Sequence, residues 1–431
     1  MRDSPIRSRA ATSALLLIVL SALILVPWGL RRRVVTETTK SRFASGPVLS
    51  LAAESKPLAR IDQESIRVAV TGLPKQLDLS IEGPYQLRPV GSSKVLSRGD
   101  KLAATTVTAT GNGLKIGKIE YAVTRLEVVP SQSPSVWING REYRGTVRFF
   151  RQQGGSIRAV NVLPIAEYLA SVVDSEMPTS FGVEARKAQA IVARTYALDV
   201  LRSGEGNAEF DLFASTSSQK YLGFQYRDGS RRLAGESEAS RQIVRDTTGI
   251  VAMFQGRLFR TYYSAVCGGQ TTQGTAVFSD AVSALKSVSC DYCREAKLYR
   301  WESDIPKATV SDKLKEYFHA EGKSFDRLQS IKLASGQPNS GLEVPEFEVR
   351  DGKRSHRISA ATLRRLLPPG KVYSPFFSVT EKSDKLQFAG RGHGHAAGLC
   401  QWGARGQGLA GKTAYDIVRY YYTGAKLVQL Q

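Results

Sequence analysis

The stretch AEYLASVVDSEMPTSFGVEARKAQAIVARTYAL, residues 166–198, decides the fold of this chain. Apolar residues recur at helical spacing after Pro164, which suits a first helical position, until Pro178 forbids continuation. A second helix follows from about residue 183 to 202, where many alanines permit close packing. The pattern predicts two helices joined by a tight corner, with Ser175-Glu176-Met177 at the end of the first.

The segments on either side of these helices are rich in short strands. Residues 63–163 contain alternating and β-branched runs separated by Gly, Pro, Asn and Asp, and Asn139-Gly140 between two apolar runs is a strong hairpin signal. Mixed strands, a Gly-rich segment at 390–410 and a helix near 414–422 follow. We predict an α+β fold, with short mixed β-sheets packed around the helical core motif at 164–425 and a β-rich N-terminal lobe at 63–163.

The net charge of the chain is strongly positive. Sixty Lys and Arg residues stand against 39 Asp and Glu residues among 431, which gives a formal net charge of +21. Such a surface attracts polyanions or an anionic membrane face. The basic residues are spread along the chain, and no helix-turn-helix, zinc-finger or ribonucleoprotein signature accompanies them. We therefore expect no nucleic-acid partner.

The N-terminal region contains a segment that is long and apolar enough to span a membrane. Residues 10–30 would cover the roughly 30 Å hydrocarbon core at about 1.5 Å per residue. A cleavable signal peptide is the alternative, but its apolar region is usually about 7 to 15 residues and ends in a small-residue cleavage site. Here Arg31 to Arg33 follow instead. We expect an uncleaved transmembrane anchor at 10–30, a short cytoplasmic arm at 1–9 and a polar tether at 31–62.

Glu176 is the candidate general acid/base. It ends the first predicted helix at the corner, and the next helix carries polar side chains that could bind a substrate. These side chains are Arg186, Lys187, Gln189 and Arg194. The alternative is structural, because a glutamate at a helix end is usually solvated and basic residues on an alanine-rich helix usually form its wet face.

Several segments in this order resemble the stage II sporulation protein D family, which also includes amidase-enhancer proteins. They are SEMP at 175–178, EARKAQAIVARTYA at 184–197, YSAVCGG at 263–269 and GHGHAAGLCQWGA at 392–404. The resemblance covers roughly residues 65–425. It implies lytic cleavage of denuded peptidoglycan between N-acetylmuramic acid and N-acetylglucosamine.

The resemblance also implies roles for particular residues and a location. The family's catalytic glutamate maps to Glu176. The candidate substrate-binding residues are Lys187, Gln189, Arg194, Tyr196, His395 and Gln401. The bulk of the chain is expected to be extracytoplasmic, on a single-pass anchor in the cell membrane, with peptidoglycan glycan strands as substrate. If the chain is instead a non-catalytic amidase enhancer, the expected partner is a cell-wall amidase. A third hypothesis is a structural wall-binding protein, held to acidic wall polymers by its positive charge.

One carboxyl group is sufficient for the chemistry that this resemblance implies. Ordinary glycosidases need two carboxylates, one as acid and one as nucleophile or base. In an anhydro-forming transglycosylase, the muramic 6-hydroxyl attacks its own anomeric carbon in place of water. Glu176 could then donate a proton to the leaving oxygen and later accept the hydroxyl proton, which favours a raised pKa in a partly desolvated cleft.

Some positions depart from the family's pattern. Ala396 stands where a Gly is usual, and Phe181 where a Trp is usual, but neither change removes a functional group. The family's Asp-x-Cys region reads Phe210-Asp211-Leu212-Phe213 here, with Ser218 before Gln219. Any site built on cysteines in that region is therefore lost.

Four cysteines offer either a metal site or disulfides. Cys290-x-x-Cys293 has metal-ligand spacing, Cys267 precedes two glycines and Cys400 follows a Gly-rich segment, with His395 as a substitute ligand. A closed site of four thiolates would hold a structural zinc, because it leaves no open position for water. Disulfides remain the alternative in an oxidising compartment.

Overall fold

A computed structural model of the protein describes residues 58–338, 340–352 and 354–431. These residues lie in one compact unit. The predicted cytoplasmic arm, anchor and most of the tether fall outside the described residues. Within the described ranges, no helix is both long and apolar enough to cross a membrane.

The helices match the elements expected around the central stretch. They are α1 Ile165–Glu176, α2 Val183–Ser203, α3 Glu238–Asp246, α4 Lys307–Ala320, α5 Ala360–Leu366, α6 Gln401–Leu409 and α7 Ala414–Tyr421. The two helices of the core motif are confirmed, and Pro178 lies between them. Gly182, with φ 82°, supplies the positive backbone angle that starts α2. The final helix is also confirmed.

Short strands make up the rest of the regular structure. The first set is β1 Ser65–Ala69, β2 Gln76–Ile81, β3 Tyr85–Pro89, β4 Ser97–Gly99, β5 Leu102–Ala109, β6 Leu114–Ile116, β7 Ile119–Tyr121, β8 Arg125–Pro130, β9 Val136–Ile138, β10 Arg141–Tyr143, β11 Thr146–Arg151, β12 Ile157–Pro164, β13 Leu212–Phe213, β14 Gln225–Asp228 and β15 Arg231–Ala234. The second set is β16 Ile250–Met253, β17 Tyr263–Ser264, β18 Arg300–Pro306, β19 Ser330–Ser335, β20 Glu346–Asp351, β21 Arg354–Ser359, β22 Phe377–Glu381, β23 Lys385–Arg391, β24 Leu399–Cys400 and β25 Lys426–Gln429. Helices and mixed sheets together confirm the α+β fold.

The first fifteen strands build two larger sheets. One runs β13-β1-β12-β11-β8-β3-β4 and the other runs β15-β14-β10-β9-β2-β5-β6-β7. The predicted hairpin is confirmed, because β9 and β10 pair antiparallel around Asn139 and Gly140, which have φ 47° and 76°. Buried residues from both sheets and from α1 belong to one hydrophobic core.

The two larger sheets contain strands from both sides of residue 163, where we predicted the β-rich lobe to end. Strands β13, β14 and β15 come from residues 212–234, after both core helices, yet they complete the edges of the two sheets. Tyr168 and Val172 of α1 are fully buried in the same core as the sheets. The β-rich lobe and the start of the helical core therefore share one interior.

The strands β18 to β23, with α4 and α5, form an inserted module at residues 300–391 that has its own hydrophobic core. Its first and last strands pair antiparallel, with Arg300 opposite Arg391. The first and last residues of the module therefore lie next to each other where it joins the rest of the protein. Cys293 precedes the module and Cys400 follows it.

The end of the predicted tether, residues 58–62, is part of the fold. A short 3-10 helix covers Arg60–Gln63, and the Asp62 side chain is fully buried. Its carboxylate accepts hydrogen bonds from Arg194 Nε at 2.6 Å and from the hydroxyl of Thr248 at 2.8 Å. Composition could not show this, because the ion pair joins residues far apart in the sequence.

Candidate active site

Glu176 is the last residue of α1, and the chain turns immediately after it. The N–H of Met177 still bonds the carbonyl oxygen of Val173 at 2.9 Å, whereas Pro178 cannot continue the helix. The side chain of Met177 is fully buried and anchors the corner. The carboxyl group is therefore held at a fixed point.

Three hydrogen-bond donors from three separate segments converge on the Glu176 carboxyl group. The backbone N–H of Lys220 and the hydroxyl of Tyr263 donate to Oε1 at 2.8 and 3.3 Å. The side-chain amide of Gln401 donates to Oε2 at 3.3 Å. Gln401 was predicted as a site residue. Tyr263 lies in a recognised motif but had no predicted role, and Lys220 was missed because it contributes only its backbone.

The surroundings of Glu176 favour its protonated form. Burial raises its pKa above the ordinary value of a glutamate, while the hydrogen bonds from Lys220, Gln401 and Tyr263 partly oppose this by stabilising the carboxylate. Asp174 points elsewhere and pairs with Arg186. Among the described residues, none of the groups that shift the pKa of Glu176 is a second carboxylate.

A buried hydrogen-bond network holds the loop that carries Lys220. The side chain of Gln219 is fully buried, accepts from the Tyr168 hydroxyl at 3.0 Å and donates to the Ala193 carbonyl at 3.4 Å. The loop is thus fixed to both core helices. This role of Gln219 was not predicted, because a glutamine in a loop gives no sequence signal of burial.

Gln189, a predicted substrate-binding residue, is linked to Glu176 through Gln401. Its side-chain oxygen accepts a hydrogen bond from the Gln401 amide at 3.3 Å. The amide nitrogen of Gln189 is buried and has no hydrogen-bond partner among the described residues. A bound ligand could accept from this nitrogen.

Two predicted substrate-binding residues have other partners. Arg194 is fully buried, donates to Asp62 and also donates to the Val244 carbonyl at 3.2 Å, so its guanidinium group is engaged within the protein and not exposed to a ligand. The ammonium group of Lys187 lies 3.1 Å from Asp246. Neither side chain appears among the groups that hydrogen-bond Glu176. Helical spacing could not distinguish the buried from the solvated positions on α2.

Tyr196 and His395 lie in an aromatic cluster next to the Tyr263 segment. The Tyr196 ring packs edge-on against Tyr262 at 5.8 Å, and the His395 ring packs edge-on against Phe278 at 4.8 Å. His395 also hydrogen-bonds the backbone of Tyr263. Burial lowers the pKa of His395 to about 4, so the imidazole is neutral at pH 7. These side chains pack around the segment that carries Tyr263. Neither is among the groups that hydrogen-bond the Glu176 carboxyl group.

The four cysteines converge in one buried cluster. Their sulfur atoms all lie within 4.8 Å of one another, and each cysteine is fully buried. The sulfur atoms of Cys267 and Cys293 lie 3.6 Å apart, and no pair is joined as a disulfide. Cys290 Sγ lies 3.1 Å from the Tyr421 hydroxyl. The predicted grouping of these four side chains therefore agrees with the structure, whereas His395 is not one of the group.

The cysteine cluster is directly connected to the Glu176 site. Cys400 caps the N-terminus of α6, because its sulfur accepts from the N–H of Gly403 at 3.3 Å. The next residue, Gln401, donates to Glu176. On the other side, β17 pairs in parallel with β24, which places Tyr263 opposite Leu399. Both side-chain donors to the carboxyl group are thus held by segments that contain cysteines of the cluster.

Comparison with known proteins identifies related sequences. A family model described as stage II sporulation protein matches residues 153–254, and a model described as a domain of unknown function matches residues 276–398. An uncharacterized protein of Brachyspira hyodysenteriae is 30% identical over 369 residues, which cover 85% of this chain and 94% of that protein.

Two relatives from Bacillus subtilis carry informative names. An amidase enhancer is 24% identical over 400 residues, 83% of this chain but only 53% of its own length. A stage II sporulation protein D is 25% identical over 282 residues, which cover 63% of this chain and 76% of that protein. The chain thus spans about half of the amidase enhancer that it matches.

Proposed function

Because the chain belongs to the stage II sporulation protein D and amidase-enhancer family, which is linked to the cell wall, we propose that it is a lytic transglycosylase of peptidoglycan glycan strands. The proposed cleavage lies between N-acetylmuramic acid and N-acetylglucosamine, with Glu176 as the single general acid/base. The observation that carries the proposal is the enclosed Glu176 carboxyl group, whose raised pKa and three converging donors suit a proton shuttle.

The proposed reaction uses one carboxyl group twice. In the first half, protonated Glu176 donates its proton to the glycosidic oxygen as the bond from that oxygen to the muramic anomeric carbon breaks. In the second half, the muramic 6-hydroxyl forms a bond to the same carbon, and its proton passes to the Glu176 carboxylate. The products are a free sugar 4-hydroxyl and a 1,6-anhydro end, and Glu176 is again protonated.

The donors around Glu176 suit both halves of this reaction. Once the proton has left, the N–H of Lys220, the Tyr263 hydroxyl and the Gln401 amide stabilise the carboxylate. Asp174 pairs with Arg186 instead, and among the described residues no second carboxylate shifts the pKa of Glu176, which suits a reaction that uses one carboxyl group. The orphan amide of Gln189 is a donor that a sugar substituent can satisfy.

We further propose that the cysteine cluster holds a structural zinc ion. Four thiolates bind zinc tetrahedrally at about 2.3 Å, which requires sulfur atoms about 3.8 Å apart. The sulfur separations within 4.8 Å, the full burial and the absence of any disulfide among the described residues fit this ligand set. The role of the ion would be to fix the Tyr263 and Gln401 segments, since a closed four-thiolate site leaves no position for substrate.

We propose that residues 10–30 anchor the protein in the cell membrane and that the described part acts outside it on peptidoglycan. The similarity to an amidase enhancer supports a second candidate function, in which the same fold binds the wall and stimulates a peptidoglycan amidase without cleaving glycan. A cell-wall amidase is the partner in that case.

The experiment that tests the enzyme function is a search for 1,6-anhydro ends by mass spectrometry after incubating the full chain with amidase-treated peptidoglycan. Glu176→Gln should abolish them, a loss on the order of 10² to 10⁴ in rate, with the melting temperature nearly unchanged. Glu167→Gln is the matched control, because Glu167 lies on the same helix and burial also raises its pKa.

The outcomes separate the candidate functions. Undiminished cleavage by Glu176→Gln would exclude Glu176 as the catalytic group. If wild-type chain and Glu176→Gln release no anhydro ends but stimulate an added amidase equally, the non-catalytic enhancer is correct.

A further inference from the structure

The outer face of the sheet that contains β9 carries a concave space remote in sequence from the Glu176 segment. Its volume is about 450 Å³, within the range of small-ligand sites. It is lined by Asp78, Leu79, Ser80, Ala104, Thr105, Thr106, Trp137, Asn139, Gly140 and Arg227. Most of these residues offer hydroxyl, amide, carboxylate or guanidinium groups, whereas few are apolar.

Trp137 forms the aromatic part of this space. The guanidinium groups of Arg227 and Arg232 lie 4.7 and 5.0 Å from the centre of its ring, and only 3% of the residue is exposed. The indole N–H of Trp137 is buried without a hydrogen-bond partner among the described residues. A buried donor without an acceptor is uncommon and points to a missing partner.

The two arginines over Trp137 form an unfavourable pair. Arg227 and Arg232 are direct neighbours across β14 and β15, where like charges destabilise a sheet. Arg232 is neutralised by Glu82 at 3.2 Å, but the described residues provide no carboxylate for the Arg227 guanidinium. An anion bound at Arg227 would remove this repulsion.

The remaining polar groups of this space are able to hydrogen-bond a sugar. Asp78 and Thr106 are paired across β2 and β5, and the Asn139 side-chain oxygen accepts from the Asp78 N–H at 2.9 Å, which leaves the Asn139 amide nitrogen available. Carboxylate, hydroxyl and amide groups beside an aromatic ring hydrogen-bond sugar hydroxyls, while a guanidinium favours a carboxylate or phosphate. We propose that this face binds an acidic glycan, with its anionic group on Arg227 and its hydroxyls on Asp78, Thr106 and Asn139.

This site goes beyond the proposed lytic activity, because it would hold the protein on an anionic wall polysaccharide independently of cleavage at Glu176. Two wall components carry an acidic group of this kind. One is the lactyl carboxylate of muramic residues in peptide-free glycan, and the other is a phosphodiester polymer attached to the wall.

The test measures binding by the full chain carrying Glu176→Gln, so that no glycan is cleaved and failure of the lytic function leaves the readout intact. The probes are amidase-treated glycan stripped of phosphate polymer, which tests the carboxylate, and the wall phosphate polymer alone, which tests the phosphate. Arg227→Gln should weaken binding of the recognised probe by about tenfold, the value of one charge-assisted hydrogen bond.

Arg231→Gln is the matched control, because it removes the same charge from the same hairpin on the opposite face of the strand. It should change the affinity less than about twofold if binding is local to the proposed face. Equal losses in both variants, binding of neither probe, or equally Arg227-dependent binding of double-stranded DNA would overturn the proposal. Melting curves of both variants check that each is folded.

Discussion

The side-chain amide of Gln401 lies 3.3 Å from Oε2 of Glu176, one residue after a buried cysteine whose sulfur caps the same helix. One peptide bond joins Gln401 to Cys400, so the position of this donor to the carboxyl group depends on the position of the cysteine cluster. A disturbance of the sulfur atoms should reach the candidate catalytic site without changing any residue that contacts Glu176.

The pH dependence of cleavage should shift when Tyr263 loses its hydroxyl. A general acid acts only when protonated, so kcat/KM falls as pH rises through the pKa of Glu176. The Tyr263 hydroxyl stabilises the carboxylate and lowers that pKa. Tyr263→Phe should therefore raise the pKa and move the high-pH limb of the kcat/KM profile to higher pH. Tyr373→Phe, in the inserted module, should leave the limb in place, and a downward shift in Tyr263→Phe would contradict the assignment.

The purified chain should contain about one zinc ion, measured by elemental analysis, and four free thiols once it is denatured with a chelator. Cys290→Ser should lose the metal and lower the melting temperature, because metal binding contributes folding free energy directly. Absence of zinc together with absence of free thiols would leave disulfides as the correct interpretation.

Two glycines of α6 provide a matched pair of substitutions. A Cβ at Gly403 would lie 2.0 Å from the Tyr421 hydroxyl and 2.6 Å from Cys290 Sγ, whereas a Cβ at Gly408 meets nothing closer than 3.7 Å. Gly403→Ala should lower the melting temperature, zinc content and cleavage together. Gly408→Ala should be neutral or stabilise by up to about 1 kcal/mol, the helix preference of Ala over Gly. Equal behaviour of the two variants would show that the cysteine cluster is not sensitive to packing at α6.

The buried Asp62–Arg194 pair should contribute to stability and not to substrate binding. Both side chains are fully buried, so Asp62→Asn leaves an uncompensated guanidinium and should cost about 3–5 kcal/mol in urea unfolding. Arg202→Gln breaks the partly exposed pair with Glu64 and should cost no more than about 1 kcal/mol. A stable Asp62→Asn variant with impaired glycan binding would return Arg194 to the substrate site.

The sequence predicted those parts of the fold that depend on local patterns. Pro164 and Pro178 mark the limits of α1, and Asn139-Gly140 marks the hairpin, because each imposes backbone angles on its immediate neighbours. The α6 helix was not predicted, since its three glycines disfavour a helix locally. It is held instead by the cap from Cys400 and by close packing on Tyr292 and Tyr421.

The site was predictable only in part for the same reason. Glu176, Gln189 and Gln401 were found because they belong to motifs, and the structure brings these three together. Lys220 contributes a backbone N–H, which no residue type can signal. Arg194 also belongs to a motif, but its side chain is fully buried against Asp62, a residue 132 positions away in the sequence. Its role therefore depends on long-range packing.

The cysteine cluster also constrains the order in which the protein can fold. Cys267 and Cys400 are separated by 133 positions, and the whole inserted module lies between them. Closing so long a loop is entropically unfavourable until the module has folded and its two ends have met. We therefore expect the sulfur atoms to come together late, so that the Glu176 carboxyl group acquires its Gln401 donor only after the inserted module has folded. An unfinished or misfolded chain would carry Glu176 without the burial that raises its pKa.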